Sequence, residues 1–295
     1  MLASVSALEF EDLLEEDLGS VSVSVGDLIA ADSGDMAIKS WDFGPSSITE
    51  EVVAEMSKES YFPPSRVRIP PSGQTVPKPE EGYAVVFRDF FVCGLRLPYG
   101  PFLRRVLETF NVQLHHLTPT AFLTLSKFCW ACASYGAEPD VDTFCTYYEL
   151  QKQPKKRKEM RDGKEVEVVC QYGSCTFMAK RNQGVDRLEI SFCQKGKWDR
   201  CWLEGWFYVK TYRVRGTTDD GVEVVEYPLT SRMEAMAPHT RVELPEAVSP
   251  MREAYDRAFA LACRYSGGRD LVEEIMASNY WPLSKDNPPF QLETV

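Results

Sequence analysis

The chain has 295 residues, of which 44% are hydrophobic and 26% are charged. This balance is that of an ordinary globular protein, so it excludes wholesale disorder and allows about two domains. No uncharged apolar run approaches the roughly 18 residues that a membrane span needs. The first ten residues also lack the basic cluster and apolar stretch of a secretory signal. We therefore expect a protein of the nucleus or the cytoplasm that has no membrane partner.

The net charge of −11 is concentrated at the start of the chain. Residues 1–60 contain 14 Asp and Glu residues, against only Lys39 and Lys58. Residues 150–215 are basic instead, with 16 Lys and Arg residues against 8 Asp and Glu residues. Two segments of opposite charge can attract each other or select different partners, although each can equally be a solvated surface.

The nine cysteines are odd in number and come without an export signal, which favours reduced thiols. Cys129-x-x-Cys132 is the one pair with metal-ligand spacing, and it lies within an apolar helical pattern. A structural zinc site needs four converging ligands, and the sequence offers no second pair to complete the set. We expect buried cysteines that act as small apolar residues, with no metal site and no cofactor.

The first 80 residues show little sustained hydrophobic periodicity. Residues 1–47 form an acidic arm that we expect to be mostly disordered. Ser47-Ile-Thr-Glu50 has the form of a capping box and predicts a short helix over residues 48–58. Six prolines then mark residues 63–79 as an extended connector that cannot be helical.

Helical patterns predominate from residue 80 to residue 150. A broad apolar face ending at Gly94 predicts one helix; its residues are Val85, Val86, Phe87, Phe90 and Phe91. Three- and four-residue spacing predicts a second helix over residues 98–110. Thr118-Pro119 caps a third helix that ends at Gly136, and residues 140–150 form a fourth. Short connections between these helices predict one helical domain over residues 48–150.

A basic linker is expected over residues 151–165. It contains Pro154 followed by four consecutive cations, which are Lys155, Lys156, Arg157 and Lys158. Such a strip, if extended and exposed, has the form of a nuclear import signal. A solvated loop between domains is the alternative interpretation.

Residues 166–295 are predicted to contain a small antiparallel sheet and C-terminal helices. Short β-branched or aromatic runs predict strands over residues 166–170, 175–179, 187–192 and 206–212. Helices are predicted over residues 249–264 and 271–278. The sheet interleaves aromatic rings with cations, so it is either a packed core or a platform for nucleic acid. The candidate nucleic-acid contacts are Lys180, Arg181, Lys195, Lys197, Trp198 and Arg200.

Recognisable catalytic motifs are missing from the sequence. The nucleophile elbow, the P-loop, the dinucleotide fingerprint and the HExxH motif are all absent. Only three histidines occur, which makes histidine-based nucleophilic catalysis improbable. We therefore expect no catalytic residues, no enzyme and no small-molecule substrate.

A series of short motifs follows a fixed order between residues 46 and 150. They are Ser47-Ile-Thr-Glu50, Arg68-Ile-Pro70, Val85-Val-Phe-Arg-Asp-Phe-Phe91, Gly94-Leu-Arg-Leu-Pro98, Pro101-Phe-Leu-Arg104 and Leu114-His-His-Leu-Thr-Pro119. This series resembles the conserved domain of plant proteins described as the putative gypsy-type transposon, or transposase, domain. Residues 177–181 and 197–209 look like the sheet portion that follows the domain in those proteins.

The resemblance implies a protein similar to the N-terminal, gag-like part of long-terminal-repeat elements. The transposase label brings no catalytic residues that could be carried over to this chain. The sequence also lacks the coiled-coil tail of longer members, a zinc knuckle, and a polymerase or integrase region. We therefore do not expect autonomous transposition.

Together these patterns predict an α+β protein: a helical N-terminal domain followed by a small antiparallel β-sheet and C-terminal helices. The expected division is 1–47, 48–150, 151–165 and 166–295. The expected function is that of a non-enzymatic, transposable-element-derived protein that acts through association with a protein partner or with itself. The alternative is a nucleic-acid-binding module that uses the basic aromatic sheet at residues 166–215.

Overall fold

Helices and strands alternate along the chain in the computed structural model. The model describes residues 38–59, 61–97, 99–134, 138–180, 200–210, 215–217, 223–225 and 233–236. The helices within these ranges are α1 (Glu50–Lys58), α2 (Arg88–Val92), α3 (Pro101–Thr109), α4 (Pro119–Ser134) and α5 (Val141–Tyr147). The predicted helices over 48–58 and 98–110, and the one that begins at Pro119, are therefore confirmed.

Local capping explains where several helices begin. Thr49, and not Ser47, caps α1, because its hydroxyl accepts a hydrogen bond from the Val52 N–H. The predicted capping box was thus placed two residues too early. The Asp140 carboxylate accepts from the Thr143 N–H at 2.9 Å and caps α5. This helix ends at Tyr147, where the chain turns into a strand, so the predicted fourth helix is shorter than expected.

Ten short strands are described, in four small sheets. They are β1 (Ile38–Ser40), β2 (Val67–Arg68), β3 (Tyr83–Phe87), β4 (Tyr148–Lys152), β5 (Lys156–Arg161), β6 (Lys164–Cys170), β7 (Cys175–Ala179), β8 (Trp206–Lys210), β9 (Arg215–Thr217) and β10 (Glu223–Val225). Their orders are β1-β6-β5, β2-β8-β3, β4-β7 and β9-β10. All pairs are antiparallel except β1 with β6.

The predicted architecture is wrong, because early and late segments of the chain share their sheets. Strand β8 lies between β2 and β3, with Tyr208 opposite Val85 and Phe207 opposite Val86. Strand β6 pairs with β1, and β7 pairs with β4. A helical N-terminal domain followed by a separate antiparallel sheet does not describe this mixed α+β fold. The predicted C-terminal helices lie outside the described residues.

The segment 83–92 shows why the helical domain was predicted. Its first five residues form β3, and only the following five form the short helix α2. Val86 and Phe87 in the strand, and Phe90 and Phe91 in the helix, are all fully buried. A strand that is buried on both faces gives a continuous apolar run, and periodicity cannot distinguish this run from a helix.

One connected hydrophobic core extends from Phe43 to Val209 among the described residues. An aromatic cluster within it surrounds Phe144 of α5, whose ring contacts the rings of Phe102, Phe110, Phe128, Tyr148 and Phe177 at centroid distances of 4.8–6.4 Å. These rings come from α3, α4, β4, β7 and the turn after α3. The core therefore joins the predicted helical segment to strands on both sides of it.

Candidate interaction sites

The predicted basic linker contains β5, which is one strand of a β-hairpin. We call β5, β6 and the turn between them the hairpin. Lys156 of β5 lies opposite Val169 of β6, and the pairing continues to Arg161 opposite Lys164. Asp162 and Gly163 form the turn with positive φ values of 49° and 74°. An Asp-Gly pair suits such a tight turn, because both residues tolerate left-handed backbone conformations.

The lysines on one face of the hairpin have carboxylate partners. Lys156 Nζ lies 2.8 Å from Glu167 Oε1, and Lys158 Nζ lies 2.5 Å from Glu165 Oε1. Both pairs cross from β5 to β6 on an exposed surface, where each contributes at most about 1 kcal/mol. The same surface carries Met160, whose side chain is 70% exposed.

Arg157 lies on the other face, within an ion-pair network. Its guanidinium contacts the Glu159 carboxylate at 2.6 Å and the Asp42 carboxylate at 3.2 Å. Ser40 and Arg161 also donate hydrogen bonds to Glu159. Burial by itself would raise the pKa of Glu159, but these hydrogen bonds outweigh it and lower the pKa to about 2. This network attaches the hairpin to the chain at residues 40–42.

Lys155 precedes β5 and approaches the core. Its Nζ atom lies 5.4 Å from the centroid of the Trp202 ring, a cation–π geometry. Desolvation beside this ring lowers the pKa of Lys155. The four cations of the predicted import signal therefore differ in environment. Lys156 and Lys158 lie on the exposed face of the hairpin, Arg157 lies in the ion-pair network, and Lys155 lies beside Trp202.

Nuclear import through these cations stays a prediction, and mutation can test it. We expect that replacing Lys155, Lys156 and Lys158 with alanine moves a fluorescent fusion of the full chain out of nuclei. The reason is that an import signal depends on exposed cations. Arg157 stays unchanged in this variant, since its loss would break the network that anchors the hairpin. The nuclear fraction of the fluorescence is measured in living cells.

A control variant should remove the same charge elsewhere. Replacing Lys39, Lys58 and Lys164 with alanine changes three exposed lysines outside the predicted signal. We expect this variant to distribute as the unchanged chain does. If both variants keep the original distribution, the import signal is refuted.

The candidate nucleic-acid contacts are only partly described. Lys180 donates a hydrogen bond from Nζ to the Cys145 carbonyl at 2.6 Å, so its ammonium is tied to the end of α5. Arg200 begins a 3-10 turn, Arg200–Glu204, and its side chain lies outside the described residues. The other candidates also lie outside the described residues: Arg181, Lys195, Lys197 and Trp198.

The aromatic residues around these cations belong to the core wherever they are described. Each is at most 6% exposed; they are Tyr172, Phe177, Trp202, Trp206, Phe207 and Tyr208. Stacking of nucleic-acid bases requires exposed ring faces. The described rings therefore stabilise the fold and do not provide a platform for bases.

The structure also contains a site that the sequence did not predict. Gln113 begins a 3-10 turn, Leu114–His116, and its N–H donates to His116 Nδ1 at 3.0 Å. The ring therefore carries its proton on Nε2, which donates to the Glu234 carbonyl at 2.9 Å. The Gln113 side-chain oxygen accepts from the Glu234 N–H at 3.2 Å.

Gln171 supplies a third contact from the turn between β6 and β7. Its side-chain oxygen accepts from the Met236 N–H at 3.2 Å. We call the side chains of Gln113, His116 and Gln171 the cradle, and residues 233–236 the docked segment. The cradle therefore holds the docked segment through main-chain atoms of Glu234 and Met236.

Gly173 brings the two sides of the cradle together. Its N–H donates to the His115 carbonyl, and the Ser174 N–H donates to the His116 carbonyl, at 2.8 and 2.9 Å. Gly173 has a positive φ of 55°, and an added Cβ would lie 2.7 Å from the Trp202 ring. Only glycine fits this position without displacing its neighbours.

A cavity of about 410 Å³ lies beside the cradle. Three charged residues line it: Arg104 and Glu108, which pair with each other at 2.8 Å, and Glu234. Its apolar lining residues include Ala84, Val85, Leu107 and Met233. His115 also lines this cavity, and its Nε2 atom has no hydrogen-bond partner within the described part of the chain. Polar and apolar residues therefore line the cavity in about equal numbers, and two buried imidazoles, those of His115 and His116, are among them.

Burial keeps both histidines neutral. It lowers the pKa of His115 well below its ordinary value, and the adjacent His116 acts in the same direction. Burial also lowers the pKa of His116 to about 4. The hydrogen bond to the Glu234 carbonyl opposes this lowering, and the charge of Lys152 adds to it. At neutral pH the cradle therefore contains an uncharged His116, whose Nδ1 atom is able to accept a hydrogen bond.

The cysteines occupy apolar surroundings. Cys129 and Cys132 are buried in α4, as expected, and burial raises the pKa of both thiols. Thiols with such pKa values are weak nucleophiles. Among the described residues, no group of three or more His, Cys, Asp or Glu side chains could hold a metal ion.

In the sequence, His115 and His116 are two of only three histidines, too few for histidine-based catalysis, and they form part of the Leu114-His-His-Leu-Thr-Pro119 motif. That motif is the signal that could have identified them. Gln113 and Gln171 carried no signal, because glutamines that bind main-chain atoms follow no spacing rule.

Comparison with known proteins gives one match. No curated protein and no solved structure was found that matches the chain. None of the helices in the described ranges combines the length and the apolar character that a membrane crossing requires. Residues 85–152, which include α2 to α5 and the histidine turn, match the family model described as Putative gypsy type transposon. Over less than a quarter of its length, this chain is thus similar to a transposon family.

Proposed function

We propose that this protein is a non-enzymatic, gag-like product of a transposable element that acts through protein association. The family match at residues 85–152 supports the transposable-element origin. The resemblance of its motifs to those of plant proteins is the reason for proposing a plant source. The matched segment supplies Gln113 and His116 of the cradle, so the proposed activity belongs to the part of the chain that resembles the family.

The single observation that carries protein association is the cradle. Three side chains hold a short stretch of polypeptide by its main chain, at 2.9–3.2 Å. Main-chain recognition is a common way for proteins to bind extended peptides. The cradle therefore offers side chains that bind main-chain atoms, and the lowered pKa of His116 keeps its ring neutral at pH 7.

Light scattering of the purified full chain tests this proposal. After nuclease treatment, we expect the molar mass to rise above that of one chain as the protein concentration increases. The absorbance ratio at 260 and 280 nm serves as the control for residual nucleic acid. A constant single-chain mass, together with single-stranded RNA binding that weakens steeply with salt, would support the nucleic-acid alternative and contradict self-association.

A further inference from the structure

The contact between the cradle and the docked segment is nearly independent of side-chain identity. Gln113 and His116 bind the N–H and the carbonyl of Glu234, and Gln171 binds the N–H of Met236. Glu234 itself points to solvent, since its residue is exposed. Any polypeptide with the same extended main chain can make these three hydrogen bonds.

The two methionines of the docked segment add apolar contacts. Met233 and Met236 are half-buried and pack against the hydrophobic core. The Met236 Sδ atom lies 3.5 Å from the Cys175 Sγ atom at the start of β7. The segment thus has a Met-x-x-Met pattern, in which the outer residues provide burial and the main chain between them provides hydrogen bonds. Methionine suits such a role because its side chain adapts to irregular surfaces.

These contacts join parts of the chain that are far apart in sequence. Glu234 is 121 residues from Gln113, and Met236 is 65 residues from Gln171. None of the three hydrogen bonds requires that the segment and the cradle belong to one molecule. Exchange of an identical element between two copies preserves every contact and is a low-cost way to form a dimer.

We infer that the cradle is a site for a Met-x-x-Met peptide, and that residues 233–236 of a second copy of this chain occupy it when chains associate. This inference rests on the proposed function and names its partner. In a single chain the cradle holds its own segment, as the structure shows. The covalently linked segment competes at an effective concentration of up to about millimolar, so exchange is favoured at high protein concentration.

Peptide binding provides the first test. The probe is a fluorescent peptide that spans residues 230–239, and the receptor is the full chain with Met233→Asp and Met236→Asp. These changes place two carboxylates against apolar surface, so the cradle loses its own segment but stays intact. We expect saturable binding in fluorescence anisotropy, weakened about tenfold or more when Gln113→Leu and Gln171→Leu are added.

A matched control uses two other glutamines of the chain. Gln151→Leu and Gln153→Leu change exposed side chains near the end of β4 that make none of the described hydrogen bonds to the docked segment. We expect no effect of these changes on peptide affinity. Circular dichroism and thermal unfolding confirm that each variant is folded. The inference would be overturned if mutation of both Gln113 and Gln171 left the peptide affinity as unchanged as mutation of the control pair does, or if the peptide did not bind.

Complementation provides the second test. The segment variant carries Met233→Asp and Met236→Asp, and the cradle variant carries Gln113→Leu and Gln171→Leu. Each variant alone lacks one half of the contact, so we expect single-chain mass from each. A mixture of the two restores one complete contact, so we expect dimers in light scattering.

The outcomes separate this inference from the proposed function. If the unchanged chain associates but the mixture does not, or if each variant alone still associates, then association uses another surface. The proposed function then stands and the inference fails. If the unchanged chain stays monomeric at every concentration, self-association itself fails, whatever the peptide result.

Discussion

Replacing Phe144 with alanine is expected to lower the free energy of unfolding by about 3–5 kcal/mol, among the largest effects of any single change in the described core. Phe144 is fully buried at the meeting point of α3, α4, α5, β4 and β7. Its removal forfeits the transfer free energy of a phenyl ring and leaves a cavity bounded by other rings, which cannot collapse easily. Urea unfolding followed by circular dichroism at 25 °C measures the change.

Met160→Ala is the control for this measurement. Met160 is 70% exposed on the hairpin, so its truncation should change the free energy of unfolding by about 0.5 kcal/mol or less. A Phe144→Ala variant as stable as Met160→Ala would show that the aromatic cluster around Phe144 is not the centre of the core.

Lowering the pH from 6.5 towards 4 is expected to reduce the free energy of unfolding by about 3 kcal/mol through His116 alone. The folded state has a His116 pKa of about 4, whereas an unfolded histidine has a pKa of about 6.5. Between these values the unfolded chain binds a proton that the folded chain does not bind. The stabilisation is therefore complete above pH 6.5 and is lost as the pH falls. His115, with its lowered pKa, acts in the same direction.

Urea unfolding at a series of pH values between 7 and 4 measures this dependence. The His116→Asn variant cannot titrate in this range, so its free energy of unfolding should fall less steeply with decreasing pH. Glu159 adds little to this signal above about pH 5, because its carboxylate stays ionised in the folded state and the unfolded carboxyl, with a pKa of about 4.5, binds a proton only near the lower end of the range. If the free energy of unfolding fell equally steeply with decreasing pH in the unchanged chain and in the His116→Asn variant, the buried, neutral state of His116 would be contradicted.

Local signals predicted individual elements well. Thr118-Pro119 placed the start of α4, because a capping hydroxyl and a proline with a preset φ act within one turn. The β-branched and aromatic runs at residues 166–170 and 175–179 placed most of β6 and all of β7. The burial of Cys129 and Cys132 followed from their apolar neighbours. Each of these predictions depends on contacts within a few residues.

Predictions about how the elements assemble were wrong. Val85 and Val86 were assigned to a helix because a short apolar run fits either structure, and only the neighbouring β8 decides between them. The predicted basic linker rests on a run of cations that looks like a solvated strip, and the structure places Lys156 and Lys158 of this run in β5. Glu165 and Glu167, which neutralise these lysines, approach them only once the hairpin closes.

The amino-acid sequence therefore determined the turns, caps and buried runs of this protein, and its likeness to a transposon family, because these depend on residues that are close together in the chain. The tertiary structure alone decided that β3 pairs with β8, and that Gln113, His116 and Gln171 meet around residues 233–236. The physical reason is that sheet pairing and main-chain hydrogen bonds join segments separated by about a hundred residues. Such contacts leave no periodic pattern in the residues that make them.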